Sequence, residues 1–272
     1  SDVYKRQQFI LMIYNRSHTI NVRLIMDYLQ QFLTTTVILN IYLVIIIAIS
    51  YIIIHQNRHC SFSQYLDIYL NYIPVLTHEM GHILFNKLSG GHAKDLVIVV
   101  HPSERKETLQ QGYAITQSKS VTGQCITTLG GYVMPPIMLM IGFWTIHFNY
   151  PSLFLILYSL IFMYYLILTS RKLSPIIVLI ILISLLYFLL QGNNQFMIFY
   201  IVVLLCHLIL GVLLGEVLQS SWTIILLTFQ RVKTHWDGNT LAELTHLPTL
   251  FYSLFWIMIN GFSLYLIYKF MI

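Results

Sequence analysis

Apolar runs long enough to cross a bilayer alternate with short polar loops over most of this chain. A helical span needs about 20 mostly apolar residues. The first such run is Thr35–Ile54, dominated by Ile, Leu, Val and Tyr, and a polar loop follows from Gln56 to Gln64. The second is Tyr65–Leu88, and Ser89-Gly90-Gly91 ends it as a glycine C-cap would. Four more runs are Gln124–Phe148, Ser152–Thr169, Pro175–Leu190 and Phe196–Gly215, and the last is Leu247–Phe270. Trp222–Phe229 is too short to span and is expected at the interface.

One long polar stretch interrupts the series, from Gly91 to Thr122. Leu96–Val100 and Gly112–Thr116 carry the β-branched and aromatic residues of strands, with a charged turn, Ser103–Glu107, between them. The pattern predicts an all-α polytopic membrane protein of about seven transmembrane helices. A small β-hairpin or sheet insert, about residues 91–122, follows the second helix. Residues 26–272 are expected to form a single membrane-embedded domain. Residues 1–25 are expected to be non-native or disordered. Asp2-Val3-Tyr4-Lys5-Arg6-Gln7 resembles an in-frame translation of a sequencing adapter, and Met26 leads directly into the first apolar run.

Composition agrees. The chain is 57% hydrophobic and only 9% charged, against about 25% charged in soluble domains. A net charge of +5 without any Lys/Arg-rich run excludes nucleic acid as a partner. Cys60, Cys125 and Cys206 are far apart and odd in number, so neither a disulfide framework nor a cysteine metal site is expected. Basic residues orient the spans. With seven alternating spans and an inside N-terminus, Lys87, Lys94, Arg105, Lys106, Lys119, Arg171, Lys172, Arg231 and Lys233 fall on the cytoplasmic face, and only Arg58 and Lys269 fall outside. This implies a multi-pass protein of a bacterial cell membrane, its partner the lipid bilayer, with the second run's polar residues near the cytoplasmic face.

Those polar residues carry the chemistry. His78-Glu79-Met80-Gly81-His82 reads H-E-x-x-H. Residues four apart share a helix face, so two neutral imidazoles can hold one zinc ion, and Glu79 stands beside them to take a proton from water. Three ionisable groups in one turn of an apolar helix are costly in lipid, which marks a functional site. Two unrelated core histidines are the competing explanation.

Catalytic zinc takes three protein ligands, and this chain offers few for the third place. Asp67 lies about three turns before His78, and Asp95, Glu104 and Glu107 read as solvated charges in the insert. Asp237 and Glu216 remain, with His235 and His246 weaker. Asp237-Gly238 also reads as a turn or helix N-cap, and Glu216 as a helix-end charge.

Thr77–Leu84, Gly90-Gly91, the strand-like insert and Gly130-Gly131-Tyr132 resemble the site-2 protease family, membrane-embedded zinc metallopeptidases. The likeness is nearest to its small bacterial branch, where a late Asp precedes a Leu-Ala-x-x-Thr-x-x-Pro stretch. Here that is Asp237, then Leu241 to Pro248. The resemblance covers about residues 65–147 and 215–260. It implies that His78, His82 and Asp237 bind Zn2+, that Glu79 is the general base, and that the substrate is a membrane-anchored peptide or protein. Trp236 stands where the family usually has Leu. Two rival classes are a membrane metallopeptidase with Glu216 as third ligand and a non-catalytic zinc-binding membrane protein or transporter. Gly130-Gly131 predicts close helix packing, Pro135-Pro136 a broken or kinked span, and Asn260 an interhelical hydrogen bond.

Overall fold

The computed structural model describes residues 26–58, 60–191, 195–230 and 236–271. The expectations for residues 1–25, Arg231, Lys233 and His235 lie outside those residues. The rest is mostly helical: α1 (26–34), α2 (Ile41–Gln56), α3 (Ser61–Leu70), α4 (Tyr72–Leu88), α5 (Pro102–Thr108), α6 (Val121–His147), α7 (Pro151–Leu168), α8 (Leu173–Gln191), α9 (Gln195–Phe229), α10 (Asp237–Thr245) and α11 (Thr249–Met271). Among the described residues, four helical stretches are long and apolar enough to cross a membrane: Val121–His147, Pro151–Leu168, Ile198–Phe229 and Thr249–Phe270. Ile41–Gln56 and Leu173–Ser184 are shorter apolar helices.

Two expected boundaries are corrected, and the Pro135-Pro136 pair does not break its helix. The run Tyr65–Leu88 is two helices, α3 and α4, meeting at Asn71, which is both the C-cap of one and the N-cap of the other. Trp222–Phe229 is the continuation of α9 rather than a separate interfacial piece. Pro135 and Pro136 lie inside an unbroken α6. Since proline has no N–H, the carbonyls of Gly131 and Tyr132 lose their i+4 donors there.

The insert is a two-stranded antiparallel sheet, β1 (His92–Ile98) with β2 (Gly112–Gln117), His92 pairing with Gln117 and Ile98 with Gly112. β1 starts earlier than its apolar residues suggest because α4 ends in a tight glycine turn. Gly90 is left-handed, with φ 79°, and the N–H groups of Gly90 and Gly91 bond back to Lys87 and Asn86. The chain therefore leaves the helix already extended. The charged turn is the short helix α5. Leu96, Val97 and Ile98 are all buried, so the C-terminal part of β1 is covered on both faces.

Asp95 and Glu104 are structural ties rather than solvated charges. Asp95 accepts from the N–H of Leu96 and from the N–H and Oγ of Ser170. Partial burial pushes its carboxyl up, but the Ser170 bonds hold it below the usual carboxylate range. Glu104 pairs with Arg171 at 2.6 Å. Together they fasten the hairpin to the turn between α7 and α8.

Helix directions differ from simple alternation. The first and sixth apolar runs were expected to be antiparallel. Instead α2 and α9 run parallel: Asn40 N–H donates to His207 Nε2, Ile47 lies against Gly211, and Tyr51 lies against Gly215. The cause is the break at Asn71. α3 turns back along the end of α2, where Asp67 meets His55 at 2.7 Å. α4 then reverses and runs antiparallel to α6, with Ser89 near Gly123 and Gly81 against Gly130. Arg58 consequently lines one cavity with Arg105 and Lys106, residues expected on the opposite face. Asn260 donates to Val217 O and Ser221 Oγ, joining α11 antiparallel to α9.

Candidate metal centre

α4 presents His78 and His82 on one face, toward α6 and α10. Small residues make the approach possible. A Cβ on Gly130 would lie 2.6 Å from the Gly81 carbonyl oxygen, and one on Gly81 would meet Gly130 O as closely. A Cβ on Gly131 would lie 2.5 Å from His82 Nε2 and 2.6 Å from His78 Nε2. Gly130 thus serves helix packing, and Gly131 leaves room for the imidazoles.

Asp237 is the first residue of α10, and Trp236, the N-cap, makes no side-chain capping bond. Asp237 does not cap the helix either. Its Oδ2 lies 3.4 Å from both His78 Nε2 and His82 Nε2, and the two ring nitrogens are 3.2 Å apart. Among the described residues this is the one group of three His, Cys, Asp or Glu side chains that could close on a metal.

The arrangement fits a metal in three respects. First, three lone-pair-bearing atoms converge. One shared proton would satisfy one of the three contacts, whereas a cation satisfies all of them. Second, ligands about 2.0–2.1 Å from a tetrahedral ion lie about 3.3–3.4 Å from one another, and the observed separations are 3.2, 3.4 and 3.4 Å. Third, His82 Nδ1 stands 2.9 Å from the Thr127 carbonyl. A carbonyl can only accept, so Nδ1 holds the proton and Nε2 is left with its lone pair facing the cluster.

Glu79 lies one residue from His78 and is 8% exposed. The Ala114 N–H, on β2, donates to its carboxylate. Gly112 sits against the same side chain: a Cβ there would be 3.3 Å from Glu79 Cγ and 2.6 Å from Val75 Cγ1. The hairpin therefore backs the acid directly. Tyr132 packs edge-on to His78 at 4.8 Å, and Trp236 and Trp256 extend this aromatic wall.

The other carboxylates and histidines lie elsewhere. Glu216 is outside the cluster, its Oε2 accepting from the Tyr51 hydroxyl at 2.5 Å. Asp67 is taken by His55 and Arg105. His246 is the left-handed C-cap of α10, with φ 59°. Sequence reasoning missed Thr127 and Ala114, which act through backbone atoms and leave no residue-type signal.

A peptidase M50B-like family model matches residues 42–267. The chain belongs to that family. The match includes the spans between residues 147 and 215, for which hydropathy was the whole of the likeness. Membership supports a membrane metallopeptidase, a class that is typically zinc-dependent, and the structure brings together a His-His-Asp cluster that could hold a metal ion. No curated protein and no solved structure matches this M50B-like chain.

Proposed function

We propose that this M50B-like protein is a zinc metallopeptidase that hydrolyses membrane-anchored peptides within the bilayer. His78, His82 and Asp237 are its metal ligands and Glu79 is its general base. The observation that carries the reading is the convergence of His78 Nε2, His82 Nε2 and Asp237 Oδ2 beside a buried glutamate. Zinc, when bound, polarises the scissile carbonyl and acidifies water. Glu79 takes the proton of the attacking water and returns it to the leaving amine. The Ala114 N–H keeps the carboxylate turned to this task. Thr127 fixes the tautomer of His82.

A helical substrate hides its carbonyls in its own hydrogen bonds and must unwind locally to be cut. β1 pairs with β2 on one side only, which leaves the other edge of β2 beside Glu79. An extended substrate strand can add to that edge. Trp236 and Tyr132 shield the other side. Stripping the metal with a chelator should abolish hydrolysis of a membrane-anchored peptide by the purified protein. Full activity after the metal is gone would refute the reading.

The helix directions also change the orientation argument. α3 and α4 return to the end from which they started, so they add no net crossing. Arg58 then joins Lys87, Lys94, Arg105, Lys106, Lys119, Arg171 and Lys172 at one end of the bundle, while Lys269 lies at the other. By the positive-inside rule that end is cytoplasmic. In a background with the exposed Cys60 replaced, cysteine probes at Asn57 and at Lys106 should both resist an impermeant maleimide outside intact cells, and one at Tyr150 should react. Labelling of Asn57 but not Lys106 would restore seven alternating spans.

A further inference from the structure

α9 is apolar for most of its length, yet Glu216, Gln219, Ser220 and Thr223 recur on it at helical spacing. All four line one cavity of about 820 Å³, together with His78, Glu79, Tyr132 and Trp236. The stripe thus forms a polar wall leading to the metal centre. Glu216 is its one charged member, and the mechanism above does not use it.

The surroundings of Glu216 are unusual for a carboxylate in an apolar helix. Its Oε2 accepts from Tyr51, whose hydroxyl also stands 2.8 Å from Asn71 Oδ1. Among the described residues no Lys, Arg or His forms an ion pair with it. Ionisable groups at membrane depth ordinarily pair with one another, and one that does not marks a substrate path. A purely structural role would be met by an amide, which also accepts from Tyr51 and carries no charge to desolvate. His55, His78 and Arg58 line the same cavity without pairing with Glu216, so its carboxylate stays available to a cation that enters.

We propose that Glu216 forms the floor of a subsite that takes a cationic group of the substrate peptide, a Lys or Arg side chain or a free amino terminus, close to the bond being cut. The peptide as occupant rests on the peptidase reading. The subsite rests on the cavity and the unpaired carboxylate. Glu216 so acts as a specificity-determining residue of the same centre.

Binding to Glu79→Gln protein in detergent, with zinc present, tests this without turnover. The probes are three peptide amides: acetyl-Leu-Leu-Lys-Leu-Leu, acetyl-Leu-Leu-norleucine-Leu-Leu, and the norleucine peptide with a free amino terminus. Calorimetry should give about tenfold or greater preference for a cationic probe over the capped norleucine probe, as a charge-assisted contact implies. Which cationic probe is favoured separates side chain from amino terminus. The preference should vanish in Glu79→Gln/Glu216→Gln, which retains the Tyr51 contact. Equal affinity for all three probes, or no binding of any, overturns the proposal before position 216 is altered. A preference that survives Glu216→Gln in folded protein overturns it as well. Should Glu79→Gln still hydrolyse the probes, the base assignment fails while the binding preference can still be read.

Discussion

Glu79→Gln should lower hydrolysis by about 10²–10⁴-fold and leave the metal bound. The amide has the size of the carboxylate and can still accept from Ala114 N–H, so the packing of β2 on α4 is kept. What is lost is the capacity to take a proton. The side chain is not among the three that converge, so metal content should equal that of the wild type. Retained metal with lost hydrolysis separates a base from a ligand. Retained metal with wild-type turnover would end the peptidase reading, because among the described residues Asp237 is the one other acid that closes on the two histidines.

The placement of His78 and His82 on α4 was legible in the sequence because it is local. His78 and His82 are four apart, and a helix alone puts them on one face. The glycine turn at Ser89–Gly91 was legible for the same reason. Long-range placement was not. Asp237 meets His82 across 155 residues (237 − 82), and nothing near Asp237 distinguishes a ligand from an N-cap until α10 is set against α6. The reversal at Asn71 was hidden because hydropathy counts apolar length and is blind to direction. One run of 24 residues (Tyr65–Leu88) and a pair of helices that double back have the same composition. The same blindness separated Arg58 from Arg105 and Lys106, which line one cavity with it. Thr127 and Ala114 were invisible because the fold uses their backbone atoms.

Asp237→Ala should remove both the metal and the activity. Among the described residues its carboxylate is the single acidic group within 3.4 Å of the two ring nitrogens, and a carboxylate commonly completes a site begun by two histidines. Without it the metal would keep only two protein ligands, and no described acid stands close enough to substitute. An N-cap role predicts something much smaller, about 0.5–2 kcal/mol of stability with the metal still in place. The backbone geometry already favours the larger effect, since the capping position belongs to Trp236 and Asp237 faces the histidines. Loss of the metal in Glu216→Gln, with Asp237→Ala unaffected, would instead transfer the third ligand to α9.

The account stands most directly on zinc stoichiometry. Metal-free wild-type and Asp237→Ala protein should be titrated with zinc side by side, reading bound metal and hydrolysis together. The account predicts that wild-type activity rises in step with bound zinc and saturates at about one ion per chain, while Asp237→Ala neither holds the ion nor recovers activity. Full hydrolysis by metal-free wild-type protein, or equal zinc uptake by the two, would contradict it.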